Sequence, residues 1–252
     1  MERWKGRVAF ITGASSGIGR AVAATLAGKK MRIALCARRE ERLVELAGEI
    51  ESESGAVLVL PTDLRDEGQV RAAFDSVRTH WGGVDVLINN AGVGYKTPLY
   101  HGDVDKWKEM IDVNILGLTQ CAYEAISDMR KRGDDGYIIN ISSMGAHRHK
   151  PGSIGGAIYG ATKRAVRSLN ESIRMELRSL ESNIRVTAVS PGLVETEFAA
   201  RFLQDEKAGK IAYQQIRTLQ PEDIAEMIRF ILSSPPHVEI NDILVRPTGQ
   251  AF

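Results

Sequence analysis

What most limits the folds open to this chain is a regular alternation of short apolar runs with amphipathic segments, repeated from end to end. Strand-length runs rich in apolar and β-branched residues stand at 8–12, 31–37, 56–61, 85–89, 137–142, 185–190 and 243–246. Several are almost continuously apolar, the pattern of strands covered on both faces. Helical segments lie between them at 18–27, 40–53, 67–80, 104–132 (with a break expected inside), 159–179 and 222–232. Pro221 near the first helical position, with Glu222 and Asp223 after it, marks the start of the last one. A strand, a helix and a further strand in succession pair in parallel through a right-handed crossover. The pattern therefore predicts an α/β fold, a doubly wound parallel sheet of about seven strands flanked by helices. No linker, repeat or low-complexity tract divides the chain. Its 252 residues suffice for one large domain over 1–252 with a well-buried core. Residues 192–220 fit no framework element and read as an irregular loop over a site.

Composition removes some classes of function. With 33 basic and 32 acidic side chains the formal net charge is +1, so no global field draws the chain to nucleic acid or to an anionic membrane. Cys36 and Cys121 are too few for a disulfide framework and fall in apolar segments, so they read as core thiols; nothing suggests a metal site. The apolar run near the N-terminus is too short for a signal peptide, and no stretch approaches 18 uninterrupted apolar residues. A soluble cytoplasmic protein without membrane insertion is expected.

The chemistry gathers at the carboxyl ends of the predicted strands. After the first comes TGASSGIG, residues 12–19. Gly13 permits a tight turn, Gly17 lets backbone approach a pyrophosphate, and Gly19 allows a helix to pack closely on the strand. The helix start then offers free N–H groups and a positive dipole end to phosphate. An acid commonly ends the second strand to hold a ribose 2′-hydroxyl. Here Ala37 stands there, followed by Arg38 and Arg39. Two arginines at a helix start oppose its dipole, and a guanidinium fork for a 2′-phosphate explains them. NADP(H) is the expected cofactor, with Arg38 the stronger candidate. Asp63 follows the third strand and the NNAG stretch, 89–92, closes the fourth. Either alone could be an ordinary turn.

The fifth strand ends with Ser142 and Ser143, and Tyr159 and Lys163 follow four residues apart. On a helix that spacing shares a face, so the lysine can stand beside the phenol or beside a ligand touching it. An ammonium there would lower the tyrosine pKa, and a serine hydroxyl can donate to a carbonyl oxygen gaining charge. The pair alone is equally compatible with an ordinary amphipathic helix.

The ordered set TGASSGIG, NNAG, DVNILG, NISS, YGATK and SPGLVET resembles the short-chain dehydrogenase/reductase family over essentially the whole length. The resemblance implies a Rossmann fold and a catalytic tetrad of Asn114, Ser143, Tyr159 and Lys163. In it Tyr159 is the general acid/base and Ser143, rather than Ser142, polarises the carbonyl. Lys163 holds the nicotinamide ribose, and Asn114 positions a water in a proton relay. It also implies cofactor contacts from Gly13, Ser15, Ser16, Gly17, Ile18, Gly19, Arg38, Arg39, Asp63 and Leu64. Further contacts are implied for Asn90, Ala91, Gly92, Tyr159, Lys163, Pro191, Gly192, Val194 and Thr196. Among these Asp63 meets adenine, Asn90 the ribose region, and Pro191, Gly192 and Thr196 the nicotinamide.

A substrate loop falls at about 193–215 by the same resemblance, and a homodimer or homotetramer is implied. Several stretches are similar to an NADP-dependent group associated with apolar alcohols and ketones, including steroids and isoprenoids. That suggests a small apolar carbonyl or alcohol as substrate. A 3-oxoacyl carrier-protein reductase and a non-catalytic NADPH-binding regulator are the alternatives. Leu193, Val194, Phe198, Phe202 and Leu203 could line a substrate wall or cap the core. His147 and His149 read as loop residues without a chemical role.

Overall fold

A computed structural model describes residues 1–54, 56–148 and 154–251. Seven strands are named among them: β1 (Val8–Thr12), β2 (Arg32–Ala37), β3 (Val57–Pro61), β4 (Val86–Asn89), β5 (Tyr137–Ile141), β6 (Arg185–Pro191) and β7 (Asp242–Val245). They form one sheet in the order β3-β2-β1-β4-β5-β6-β7, every neighbouring pair parallel. The expected strands are all present, with ends shifted by one residue in most of them. The order reverses between β1 and β4, and that is where an open α/β sheet leaves a crevice at its carboxyl edge.

Strand alternation explains the nearly unbroken apolar runs. Ala9 and Ile11 of β1 face one core with Ile33, Leu35, Val86 and Ile88, while Val8 and Phe10 face the other with Ala34, Cys36 and Leu87. Helices α1 (Gly17–Ala27), α2 (Glu40–Ser54) and, later in the chain, Pro221–Ser233 cover the first face. Helix α3 (Glu67–Trp81) supplies Val70, Phe74 and Val77 to the second. Each such buried Val, Ile, Leu or Phe contributes on the order of 1.5–3 kcal/mol by leaving water. Both cysteines are buried and free, as core thiols should be.

Two departures from the expected pattern matter for the site. Residues 104–132 do not separate into two helices. Helix α4 (Val104–Ile111) runs through a π-helical turn, Asp112–Gly117, directly into α5 (Leu118–Lys131). One wide turn keeps the axis going while re-aiming the residues in it, a device common at functional sites. Residues 192–220, expected to be irregular, instead hold two helices after α6 (Ala157–Ser179): α7 (Phe198–Leu203) and α8 (Glu206–Gln214). Asp205 caps α8 by accepting from the backbone N–H groups of Lys207 and Ala208. A parallel bridge of Val194 with Leu219 closes the insertion at its base. The last helix, α9 (Pro221–Ser233), starts in a capping box of Gln220 with Asp223. Among the described residues no helix is long and apolar enough to cross a membrane.

Candidate active site

A cavity of about 520 Å³ opens at the carboxyl edge where β1 and β4 part, under the insertion that carries α7 and α8. Its floor is the glycine turn. Gly13 and Gly17 have φ of +66° and +53°, a left-handed backbone that side chains resist. A Cβ on Gly13 would stand 2.9 Å from the Ala91 Cα, and one on Gly19 would stand 2.5 Å from the Gly13 carbonyl oxygen. The third glycine is therefore there for packing, and Gly19 does not line the cavity. Ser16, at the N-cap of α1, makes no side-chain cap bond.

The NNAG segment braces this turn. The backbone N–H groups of Asn90 and Ala91 both donate to Thr12 Oγ1 at 3.0 Å, and Asn90 Nδ2 donates to the carbonyl oxygens of Thr12 and Gly13 at 2.9 and 3.3 Å. Asn90 was expected to face the ribose; it lines the cavity, and its amide nitrogen holds the turn in shape. Asp63 and Leu64 line the adjoining wall. Hydrogen bonds from Arg65, down to 2.5 Å, hold the Asp63 carboxyl below its ordinary pKa.

Arg38 and Arg39 both reach the cavity but turn different ways. Arg38 Nη1 leans toward Glu109 at 3.6 Å. Arg39 lies across the turn, donating from Nε and Nη2 to Ser15 Oγ at 3.2 and 3.0 Å and from Nη2 to Ser16 Oγ at 2.8 Å. Sequence favoured Arg38, yet Arg39 is the guanidinium bonded to the glycine turn.

At the far end β5 and α6 deliver the polar groups. Ser142 Oγ donates to the Lys163 carbonyl oxygen at 3.0 Å, so it ties strand to helix. Ser143 Oγ accepts from the Gly145 N–H at 3.1 Å and hydrogen-bonds the Tyr159 side chain. The two adjacent serines thus make different contacts, Ser142 to the Lys163 backbone and Ser143 beside Tyr159. Lys163 is buried and donates from Nζ to the Ile141 carbonyl oxygen at 2.8 Å. Burial lowers its pKa to about 8. Burial also raises Tyr159 to about 12, against the pull of the Ser143 hydrogen bond. An ammonium that pulls the phenol down was expected; here desolvation dominates both groups.

Asn114 stands behind the cavity and does not line it. It is fully buried in the π turn. Its Oδ1 accepts from the Val93 N–H at 2.8 Å, and Nδ2 donates to the Val93 carbonyl oxygen at 2.8 Å and to Thr162 Oγ1 at 3.0 Å. Both amide hydrogens are committed, so the side chain locks the loop after β4 onto α6. Three further asparagines, two of them inside the NNAG and NISS motifs, form a chain that the sequence reading does not assign. Asn89 Nδ2 donates to Asn140 Oδ1, and Asn140 Nδ2 to Asn170 Oδ1, both at 3.0 Å. This buried chain fixes α6 against β4 and β5. Asparagine inside two apolar strands is the signal that pointed to it, since strands disfavour that residue.

The insertion forms the roof. Pro191, Gly192, Leu193, Val194, Thr196, Phe198, Phe202 and Leu203 all line the cavity. The Phe198 and Phe202 rings lie 5.2 and 5.8 Å from the Tyr159 ring, within aromatic packing range. Of the two readings of these apolar residues, the cavity wall is the one the structure adopts. His147 Nε2 sits 3.4 Å from Asp242 and does not line the cavity; His149 lies outside the described residues. The remaining residues expected at the site, Ile18 and Gly92, are in the lining.

Comparison with known proteins gives a consistent result. The pattern defining short chain dehydrogenases matches residues 7–207. Dehydrogenase/reductase SDR family member 11 of Mus musculus is 45% identical over 99% of this chain and 97% of its own. Farnesol dehydrogenase of Aedes aegypti is 38% identical over the full length of both. The closed form of serine dehydrogenase complexed with NADP+ superposes with a TM-score of 0.90 at 30% identity, covering 97% of this chain and 96% of that one.

Proposed function

The chain belongs to the short-chain dehydrogenase/reductase family of oxidoreductases, and on that footing we propose that it interconverts an apolar alcohol and its carbonyl with NADP(H). The observation that carries the reading is the grouping of Ser143, Tyr159 and Lys163 at one end of a cavity whose other end is a glycine turn crossed by an arginine. The residues present fit a dinucleotide. The turn carries no side chain where its glycines face the cavity, the first turn of α1 has no side-chain cap, and Arg39 supplies positive charge beside Ser15 and Ser16, with Arg38 in the same lining. When bound, the nicotinamide supplies or accepts the hydride.

The chain's own groups handle the proton and the positioning. In reduction, Tyr159 donates its hydroxyl proton to the carbonyl oxygen while the Ser143 hydroxyl donates a hydrogen bond to the same oxygen. A phenol held at about 12 is fully protonated near neutrality, which suits a donor. Lys163, as ammonium, offsets the negative charge left on the phenolate. The aromatic roof of Phe198 and Phe202 packs on the Tyr159 ring and offers apolar surface to substrate.

Similarity to a farnesol dehydrogenase supports an alcohol–carbonyl substrate, an isoprenoid alcohol in particular. A panel of steroid, isoprenoid, retinoid, small diketone and acyl-carrier carbonyls with NADPH, followed by absorbance at 340 nm, tests this. Turnover of apolar ketones is expected. Turnover of acyl-carrier substrates alone would replace the substrate assignment, and no turnover with any member would reject the enzyme reading.

Arginine substitution tests the cofactor. Charge-assisted hydrogen bonds to phosphate contribute about 1.5–3 kcal/mol each, so Arg39→Ala should weaken NADPH binding roughly tenfold to a hundredfold and leave NADH within about threefold. Arg38→Ala should act in the same direction. Equal losses for both cofactors would reject the 2′-phosphate role.

A further inference from the structure

Arg39 does not reach the glycine turn unaccompanied. Its Nη1 donates to Glu197 Oε2 at 2.8 Å, and Arg42 Nη1 donates to Glu197 Oε1 at 2.5 Å. Glu197 is an exposed residue of the insertion, immediately before α7, and lies 158 positions along the chain from Arg39. A carboxylate in bridging contact with two guanidiniums occupies positive charge that a phosphate would otherwise take. The next residue is Phe198, whose ring packs on Tyr159. One turn on, Phe202 meets the same ring edge-on and stacks on Phe198 at 6.0 Å. The six-residue helix α7 thus has an anion anchored in the arginine pair at one end and the cover over Tyr159 along its length.

We propose that Glu197 is an intramolecular competitor for the 2′-phosphate at Arg39 and Arg42, so that it sets how strongly NADPH is preferred and couples phosphate arrival to release of the α7 cover over Tyr159. The inference rests on the NADP(H) reading above. A 2′-phosphate and the Glu197 carboxylate are like charges that cannot share the guanidinium of Arg39 without repulsion. Binding the phosphate therefore detaches Glu197, and α7 loses its anchor where substrate must enter. A cofactor without the phosphate leaves the contact intact.

The test is the dissociation constants of NADPH and NADH, by nicotinamide fluorescence, for wild type, Glu197→Gln, Arg39→Ala and the double variant. Removing one charge from the phosphate's neighbourhood should tighten NADPH about fivefold to thirtyfold in Glu197→Gln and leave NADH within about twofold. In the Arg39→Ala background the same substitution should tighten NADPH by less than half that factor, because only Arg42 remains to be contested. Amide hydrogen exchange in the ligand-free protein reads the second half of the proposal: exchange at Phe198–Leu203 should speed up several-fold in Glu197→Gln. Wild-type and Arg39→Ala proteins that treat the two cofactors alike would reject the NADP(H) reading, and this proposal with it. If NADPH preference holds but Glu197→Gln leaves NADPH binding unchanged or weaker, the competition alone is overturned. Unchanged exchange in α7 overturns the coupling.

Discussion

Tyr159→Phe is expected to lower turnover by on the order of a thousandfold while leaving the NADPH dissociation constant within about threefold. A positioned general acid contributes about 10²–10⁴ in rate, and phenylalanine removes the transferable proton while keeping the ring. The contacts with Phe198 and Phe202 are made by the ring, so the roof should survive. Only the hydroxyl partnership with Ser143 is lost. Steady-state NADPH oxidation and a fluorescence titration separate the two effects. Retained turnover with intact cofactor binding would remove Tyr159 from the mechanism.

Lys163→Met should cost nearly as much, about 10²–10³ in turnover, and should also change the pH profile. The methionine keeps the apolar stem but removes the Nζ donor that holds the Ile141 carbonyl oxygen. Burial lowers the Lys163 pKa to about 8, so the ammonium dominates below that pH and is lost above it. Its positive charge offsets the phenolate that forms as Tyr159 gives up a proton. Reductive turnover by the wild-type protein should therefore be flat from about pH 6 to 7.5 and fall as pH rises through 8. Tyr159, near 12, stays protonated throughout and cannot produce that limb. The Lys163→Met profile should lack it. The same limb in both proteins would assign the titration to another group.

Much of the fold was legible because its physical causes are local. Strands buried on both faces must be apolar along their whole length, and β1 and β2 are buried at nearly every position. Helix starts such as Pro221 with Asp223 advertise themselves through their own backbone needs. The π turn at Asp112–Gly117 was read as a break because one extra residue per turn interrupts the apolar period without ending the helix. The insertion was read as a loop for a related reason. Phe198, Phe202 and Leu203 of α7 and Ala212 and Tyr213 of α8 meet the cavity, not a continuous core face, so their periodicity is too short to stand out.

The site divides in the same way. Sequence by itself determined the positions that depend on backbone form or chemical type: glycines where φ is positive, a tyrosine and lysine one turn apart, serines at the end of β5. Only the tertiary structure decided which contacts each of two adjacent residues makes. Ser142 is taken by the Lys163 carbonyl while Ser143 meets Tyr159, and Arg39 lies on the turn while Arg38 leans to Glu109. Desolvation is likewise a property of the assembled cavity, and it drives Tyr159 up and Lys163 down, whereas spacing alone suggested an ammonium pulling a phenol down. The contact of Glu197 with Arg39 spans 158 positions and has no local signature. Backbone preferences act within a few residues and are written along the chain. Burial and charge pairing depend on what folding brings together, and at this site they set which hydroxyl, which guanidinium and which carboxylate stand in contact.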